Sequence, residues 1–310
     1  MYKYVLKRLL LTIPILLGVI IVVFIMINIV PGDPGRNILG MQAAQEDVDR
    51  LNHELGYDQP MLTRLVQYLE DIIFHFDFGE TWSTGNGVLK EISLYFIYTF
   101  RVVLFGTVVY VLLGVPLGVL SAVKQYSVTD NVLRILAMIF NSMPSFWFGL
   151  VALLVFSLWL GWLPSNGVDT WKNYVLPVAV YGIGSAGGLL RTTRTIMLES
   201  IRQDYIRTAR AKGASEKRII WRHALPNVSL PLINLIGLTF GGMLGGTVLI
   251  ETTFSIPGLG TLVLDAVRAK DVPLVMGTTI FLAAIWCVAV LAVDIISAYA
   301  DPRVRAKYTT

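Results

Sequence analysis

Charge and sulfur are both scarce in this sequence. Asp, Glu, Lys and Arg make up 15% of its 310 residues while 55% are hydrophobic, which excludes an ordinary soluble domain. The one cysteine, Cys287, lies in an apolar run, so neither a disulfide framework nor a thiolate metal centre can be built. His53, His75 and His223 are scattered and lack the spacing of a zinc site. There is no G-x-x-x-x-G-K-S/T phosphate loop, no G-x-S-x-G elbow and no H-E-x-x-H pair. The chain therefore offers no catalytic residue, no metal site and no route of that kind to ATP hydrolysis.

What it has instead is a series of long apolar runs. A helix rises about 1.5 Å per residue, so roughly 20 such residues cross a hydrocarbon core of about 30 Å. The pattern predicts an all-α integral membrane protein with six transmembrane helices, at Leu9–Val30, Val102–Val123, Val132–Leu160, Tyr174–Leu190, Val228–Ile250 and Met276–Ala298. The first run is too long for the core of a signal peptide and no A-x-A site follows, so it reads as a retained span. The third is long for one crossing, and Asn141-Ser142-Met143-Pro144 is expected to kink it. The chain then divides into a tail and first span (1–30), an external segment (31–100), a five-span core (101–300) with a cytoplasmic loop (191–227), and a cytoplasmic tail (301–310). Within the external segment, Gln45–Leu55 and Met61–Phe74 have the spacing of amphipathic helices.

Charge sets the expected orientation. With both termini inside, 17 of the 25 basic residues fall on the inner side, among them Lys3, Lys7, Arg8, Lys124, Arg134, Arg303, Arg305, Lys307 and the set from Arg191 to Arg222. The long segment after the first span is acidic and falls outside. In the fifth span Gly237, Gly241 and Gly245 recur at four-residue spacing, with Gly242 and Gly246 beside them. Such a stripe suits close helix packing or a helix that lines a path and shifts between states. Gly182, Gly184, Gly187 and Gly188 in the fourth span invite the same two readings. Asp294 is an intramembrane carboxylate near the inner end of the last span, expected to make a structural bond rather than carry protons.

The stretch DYIRTARAKGASEKRIIWRHALPN, Asp204 to Asn227, is the most informative. Its first half has helical spacing, with Ile201, Tyr205, Ile206 and Ala209 apolar among Arg202, Arg207, Arg210 and Lys212. Gly213 stands where a helix C-cap belongs, Ser215 can cap a second short helix, and Pro226 after Leu225 is expected to stop it. That helix carries Ile219, Ile220, Trp221 and Leu225 among Lys217, Arg218 and Arg222. An apolar cluster in an aqueous loop needs cover, which lipid headgroups or the groove of another protein can provide.

Gly213 followed by Leu225-Pro226 resembles the "EAA" signature of permease subunits in ATP-binding-cassette importers. Arg207, Thr208 and Ala209 stand at the triplet positions, so the first two depart from the general pattern. The string RTARAKG is instead the form of the dipeptide, oligopeptide and nickel branch. Pro31-Gly32-Asp33-Pro34, GVLSAVKQYSVTD, PSFWFGL, LGWLPSNG, ETTFSIPGLG and the terminal DPRVR resemble the same branch in order, across nearly the whole chain. The resemblance is to the first of its two permeases. It implies a bacterial or archaeal cell-membrane protein that pairs with a second related permease, two cytoplasmic ATPase subunits and an external substrate-binding protein, in the lipid bilayer and without nucleic acid. ATP and Mg would bind the partner subunits, leaving this chain without a cofactor. Dipeptides or oligopeptides would be the cargo, with nickel, glutathione or another small solute as the alternative; an ion-coupled secondary transporter working through Asp294 is a further one. The resemblance implies ATPase coupling by Ala209, Gly213, Ser215, Arg218, Ile219, Trp221, Arg222, Leu225 and Pro226. The glycines Gly237, Gly241, Gly242, Gly245 and Gly246 are candidates for the translocation path.

The charge pattern makes orientation testable. Cysteines introduced within Gln45–Leu55 or near Gly87 should react with an impermeant thiol reagent added to intact cells. One at Ser215 should react only once the membrane is opened. The reverse labelling pattern would invert the topology.

Overall fold

Backbone groups in a bilayer must find partners within their own segment, which favours helices throughout an apolar chain. The computed structural model describes residues 2–29 and 32–300, and among these it is helical with no strand beyond one isolated bridge, Glu80 to Gly87. Pro31, the DPRVR string and the expected tail 301–310 lie outside the described residues. In chain order the elements are α1 (Tyr2–Ile29), α2 (Pro34–Leu39), α3 (Gln45–Glu54), α4 (Met61–Glu70, continued by a π-turn Asp71–His75) and α5 (Val88–Val123). They continue as α6 (Val128–Ser142), α7 (Ser145–Ala152, with a π-segment Leu153–Trp159), α8 (Trp171–Ile201), α9 (Asp204–Ala211) and α10 (Glu216–Arg218, with a π-segment Ile219–Ala224). The last four are α11 (Leu225–Gly245), α12 (Val248–Phe254), α13 (Leu259–Ala269) and α14 (Val272–Ala300).

Five helices are long and apolar enough to cross a membrane: Val5–Ile29, Val88–Val123, Trp171–Ile201, Glu216–Gly245 and Val272–Tyr299. Two bent pairs raise the number of possible spans to seven. The expected kink at Met143-Pro144 is a corner of 102° between α6 and α7. Its cause is local, because a residue before proline is pushed out of the helical region, and Met143 sits at φ −76, ψ 129. The expected single fifth span Val228–Ile250 is broken instead: α11 stops at Gly245, and α12 and α13 form a second corner of 90°. The second helix starts at Val88 rather than Val102. Its first turn accommodates the charge of Glu91 through Thr84 Oγ1 at 3.2 Å and Asn86 Nδ2 at 2.7 Å.

The centre of the molecule is the contact of α5 with α8. A Cβ on Gly114 would lie 2.7 Å from the Leu189 side chain, and one on Gly118 only 2.7 Å from the Leu190 carbonyl. α6 joins the same contact, where a Cβ on Gly187 would meet the Ala137 carbonyl at 2.4 Å. One end of this trio is fastened by a charge. Arg194 reaches Asp130 through Nε and Nη2, each at 2.8 Å, while Ser121 Oγ donates to Asp130 at 2.5 Å and the Tyr126 amide at 2.9 Å. A buried carboxylate with that many donors ties α5, α6 and α8 together.

The segment after α1 does not stand apart from the membrane helices. α4 runs antiparallel along α1: Arg64 bonds Asn28 at 2.6 Å, the Tyr68 ring meets Phe24 at 5.9 Å, and Ile72 packs with Ile20 and Ile280 of α14.

The close contacts predict opposite outcomes for neighbouring glycines of α8. Gly187→Ala forces α6 and α8 apart and should lower stability by about 1–3 kcal/mol. Gly184→Ala, whose Cβ would meet nothing within 4 Å, should leave the melting temperature in detergent unchanged.

Candidate functional site

The loop from Arg202 to Ala224 joins α8 to α11 and is built from local rules. α9 ends in a Schellman turn, with the Ala214 amide on the Ala209 carbonyl at 3.1 Å and the Gly213 amide on that of Arg210 at 2.9 Å. The turn requires a left-handed residue, and Gly213 has φ +79. Ser215 then caps α10, its Oγ accepting from the Arg218 amide at 3.4 Å. Arg210 closes the turn from outside by gripping both oxygens of Glu216, at 2.7 and 3.1 Å.

The second helix does not stop at Pro226. It passes through the π-segment Ile219–Ala224 into α11, so that Glu216–Gly245 is one continuous helix. A proline costs a helix its i→i−4 bond and crowds that carbonyl. The wider π-turn relieves both demands just before Pro226, with the Leu225 amide bonding to Ile220 five residues back.

Burial sorts the apolar residues of the loop into two sets. Ile219 is 0% exposed and, with Ile206, Ile220 and Ala224, belongs to a core shared with Val119, Ala122 and Met197. Ile219 was expected to sit in water and is instead internal, because its face of the helix packs on the core shared with α5 and α8. Ala209 and Leu225 pack partly against the same core. Trp221 is 52% exposed, and Tyr205 on α9 is exposed as well. Arg218 and Arg222 are exposed and make no ion pair among the described residues. Gly213, Ser215 and Pro226 are exposed as well. The loop is bonded to the end of α8 through Ser200, whose Oγ contacts the Tyr205 hydroxyl at 2.6 Å and donates to the Ala224 carbonyl at 3.4 Å. The outcome is a rigid plate with one large indole facing outward inside a basic rim.

The five path candidates divide similarly. A Cβ on Gly237 would collide with Val293 and one on Gly241 with the Trp286 ring, so these two let α11 pack on α14. A Cβ on Gly242 or Gly245 would meet nothing within 4 Å, and one on Gly246 would lie 3.1 Å from the Tyr181 hydroxyl. Asp294 pairs with Arg8 of α1 at 3.1 Å, a bond between helices as expected. The sequence argument missed Glu251. It is fully buried, takes the Thr99 hydroxyl at 2.6 Å and the Thr261 amide at 3.0 Å, and holds the α12–α13 corner. The glycines of SIPGLG were its only signal: Gly258 and Gly260 leave room for the carboxylate. Among the described residues no group of acidic, His and Cys side chains could hold a metal.

Residues 114–306 match the family described as "Binding-protein-dependent transport system inner membrane component", and residues 1–88 match its "membrane comp, N-term" family. The chain belongs to this permease family. A "Putative peptide transport system permease protein" of Brucella abortus (strain 2308) is 38% identical, with 98% of this chain and 99% of that one covered. The "Glutathione transport system permease protein GsiC" of Salmonella choleraesuis (strain SC-B67) is 36% identical, covering 99% and 100%. The inward-facing MetNI methionine ABC transporter shares the fold, with a TM-score of 0.58 at 20% identity over 69% of this chain and 97% of that one. The permease is thus the multi-pass membrane component of an ATP-driven importer, and ATP hydrolysis lies on separate subunits. Family membership carries with it a partner permease, an ATPase and a binding protein in general terms.

The Gly213 turn gives a local test. Gly213→Val resists the positive φ and should open the turn, so that trypsin cuts the solubilised protein faster after Arg210 and Lys212. Gly213→Asn, which tolerates that conformation, should resist nearly as well as the parent.

Proposed function

We propose that this chain is one of two related permeases lining the path for dipeptides or oligopeptides, which an external binding protein delivers and two cytoplasmic ATPase subunits drive. The names of its relatives, peptide and glutathione transport permeases, support that class of cargo. The same proposal has both termini in the cytoplasm, the segment 31–100 outside and the loop 191–227 facing the ATPases. Nickel is not favoured by those relatives. An ion-coupled carrier working through Asp294 is weakened by the Arg8 contact, since that carboxylate is committed to another helix.

Exposure of Trp221 on a loop that is otherwise anchored in the core is the observation that carries the coupling role. A half-exposed indole still offers on the order of 100 Å² of apolar area, worth about 2–3 kcal/mol once covered. Arg218 and Arg222 on the rim supply charge steering rather than bulk affinity. Ala209, Gly213, Ser215, Leu225 and Pro226 act by shaping the plate. Ile219 acts from inside, transmitting displacement of the plate to the core on which it rests. Gly242 and Gly245 are the better path candidates, because a side chain added there would meet nothing within 4 Å, whereas Gly246 faces the Tyr181 hydroxyl.

Two substitutions separate coupling from folding. Trp221→Asp should insert and express normally, yet lose ATPase copurification or leave ATP hydrolysis without uptake. Ile219→Asp buries an unpaired charge and should instead reduce the amount of folded protein. Unchanged uptake and copurification in Trp221→Asp would make the loop a lipid-surface element.

A further inference from the structure

A cleft of about 990 Å³ opens on the opposite side of the molecule from the coupling loop, between the end of α1, the α2–α4 segment and the α13–α14 corner. Its volume suits a small-molecule site. Val267, Val272 and Val275 supply apolar wall, and the remainder mixes uncharged residues with charges of both signs, Asp49 among them. Arg64 and Lys270 line it together with Asp33 and Asp58.

Arg64 is the unusual member. Its guanidinium is half-buried and held in place, stacked 3.8 Å from the Tyr57 ring centroid and bonded to Asn28 at 2.6 Å. Among the described residues no carboxylate lies within ion-pairing distance of it. A guanidinium has five donors in a planar fork that matches a carboxylate, and one bond to an amide oxygen leaves most of them unused. The carboxylates across the cleft are also fixed. Asp33 accepts from Asn52 at 2.8 Å and from the Arg36 amide at 3.2 Å, and Asp58 contacts His53 at 2.7 Å. Those bonds hold both carboxyls below their ordinary range, so they stay anionic with lone pairs to spare. The cleft thus presents one held cation, hydrogen-bonded anions and an apolar wall on a single lining.

We propose that this cleft is a second solute site that takes a small zwitterion, a short peptide with free termini, its carboxylate on Arg64 and its ammonium between Asp33 and Asp58. The identity of the zwitterion rests on the peptide-importer reading; the complementarity does not. Such a site would hold cargo on this chain before it enters the path, apart from the open glycines of α11. A zwitterionic lipid headgroup, phosphate and ammonium, shares the chemistry and is the competing source.

The test uses the whole importer in nanodiscs of phosphatidylglycerol, without binding protein, and labelled Ala-Ala-Ala as probe. Saturable binding is expected, with N-acetylated and C-amidated tripeptides competing about tenfold more weakly, and Arg64→Gln weakening binding by about tenfold. Arg64→Lys, which keeps the charge and loses the fork, should fall between. Asp58→Asn, at a half-exposed side chain, carries the same test if the Arg64 variants fail to assemble. Blocked peptides that compete as well as the free one, or Arg64→Gln and Asp58→Asn variants that bind as the parent does, would overturn the site. So would failure of the tripeptide to bind while phosphatidylethanolamine is retained in an Arg64-dependent way, which assigns the cleft to a headgroup. Uptake with binding protein and ATP is read separately. Uptake without Arg64-dependent binding removes the cleft and keeps the importer; binding without uptake does the reverse.

Discussion

The approach of α5 to α8 sets the terms for the rest of the fold. In lipid, apolar side chains gain nothing by leaving one greasy surface for another, so helices associate through close packing and polar bonds. Gly114, Gly118 and Gly187 provide the first and the Asp130–Arg194 pair the second. Removing one partner of such a buried pair costs about 3–5 kcal/mol, because the other charge is stranded. The pair sits at the end of α8 from which the coupling loop leaves. Whatever moves the loop therefore moves α5 and α6 as well.

The π-segment Ile219–Ala224 gives that link its stiffness. A flexible tether between α10 and α11 would absorb a push from outside. Under the proposed coupling role, a continuous helix from Glu216 to Gly245 would carry such a push along its length, and burial of Ile219 and Ile220 seats the helix on the α5–α8 core. Pro226 is thus compatible with the helix because the turn before it is already widened. The exposed Trp221 and the open Gly242 and Gly245 lie on one rigid element.

Local chemistry was legible in the sequence and long-range pairing was not. Gly213, Ser215 and Met143-Pro144 each do what their residue types dictate, since a positive φ, a cap and a break depend on near neighbours. The helices of the segment after α1 were also visible in their spacing, ending within a residue or two of Gln45–Glu54 and Met61–His75. By contrast, Ile219 and Trp221 look alike as bulky apolar residues in a basic loop. Two residues apart, they face opposite sides of a helix, and which side is covered is decided by packing on α5 and α8, which composition does not announce. The α12–α13 corner was hidden for a related reason: hydropathy sees Glu251 as the polar end of a span, whereas Thr99, far away in the chain, makes it an internal anchor.

Three acidic residues show how position decides the meaning of a charge here. Asp130 and Asp294 each meet an arginine of another helix, and Glu251 meets hydroxyl and amide donors, so each is tied into the packing. Arg64 breaks the pattern: among the described residues it meets the Tyr57 side chain and an amide but no carboxylate. A protein with so few charges positions them where they join helices. A rigid cation beside a cleft, with its best partner type absent from reach, is better explained by a ligand that arrives than by packing, since packing alone would be served by an uncharged side chain at lower desolvation cost.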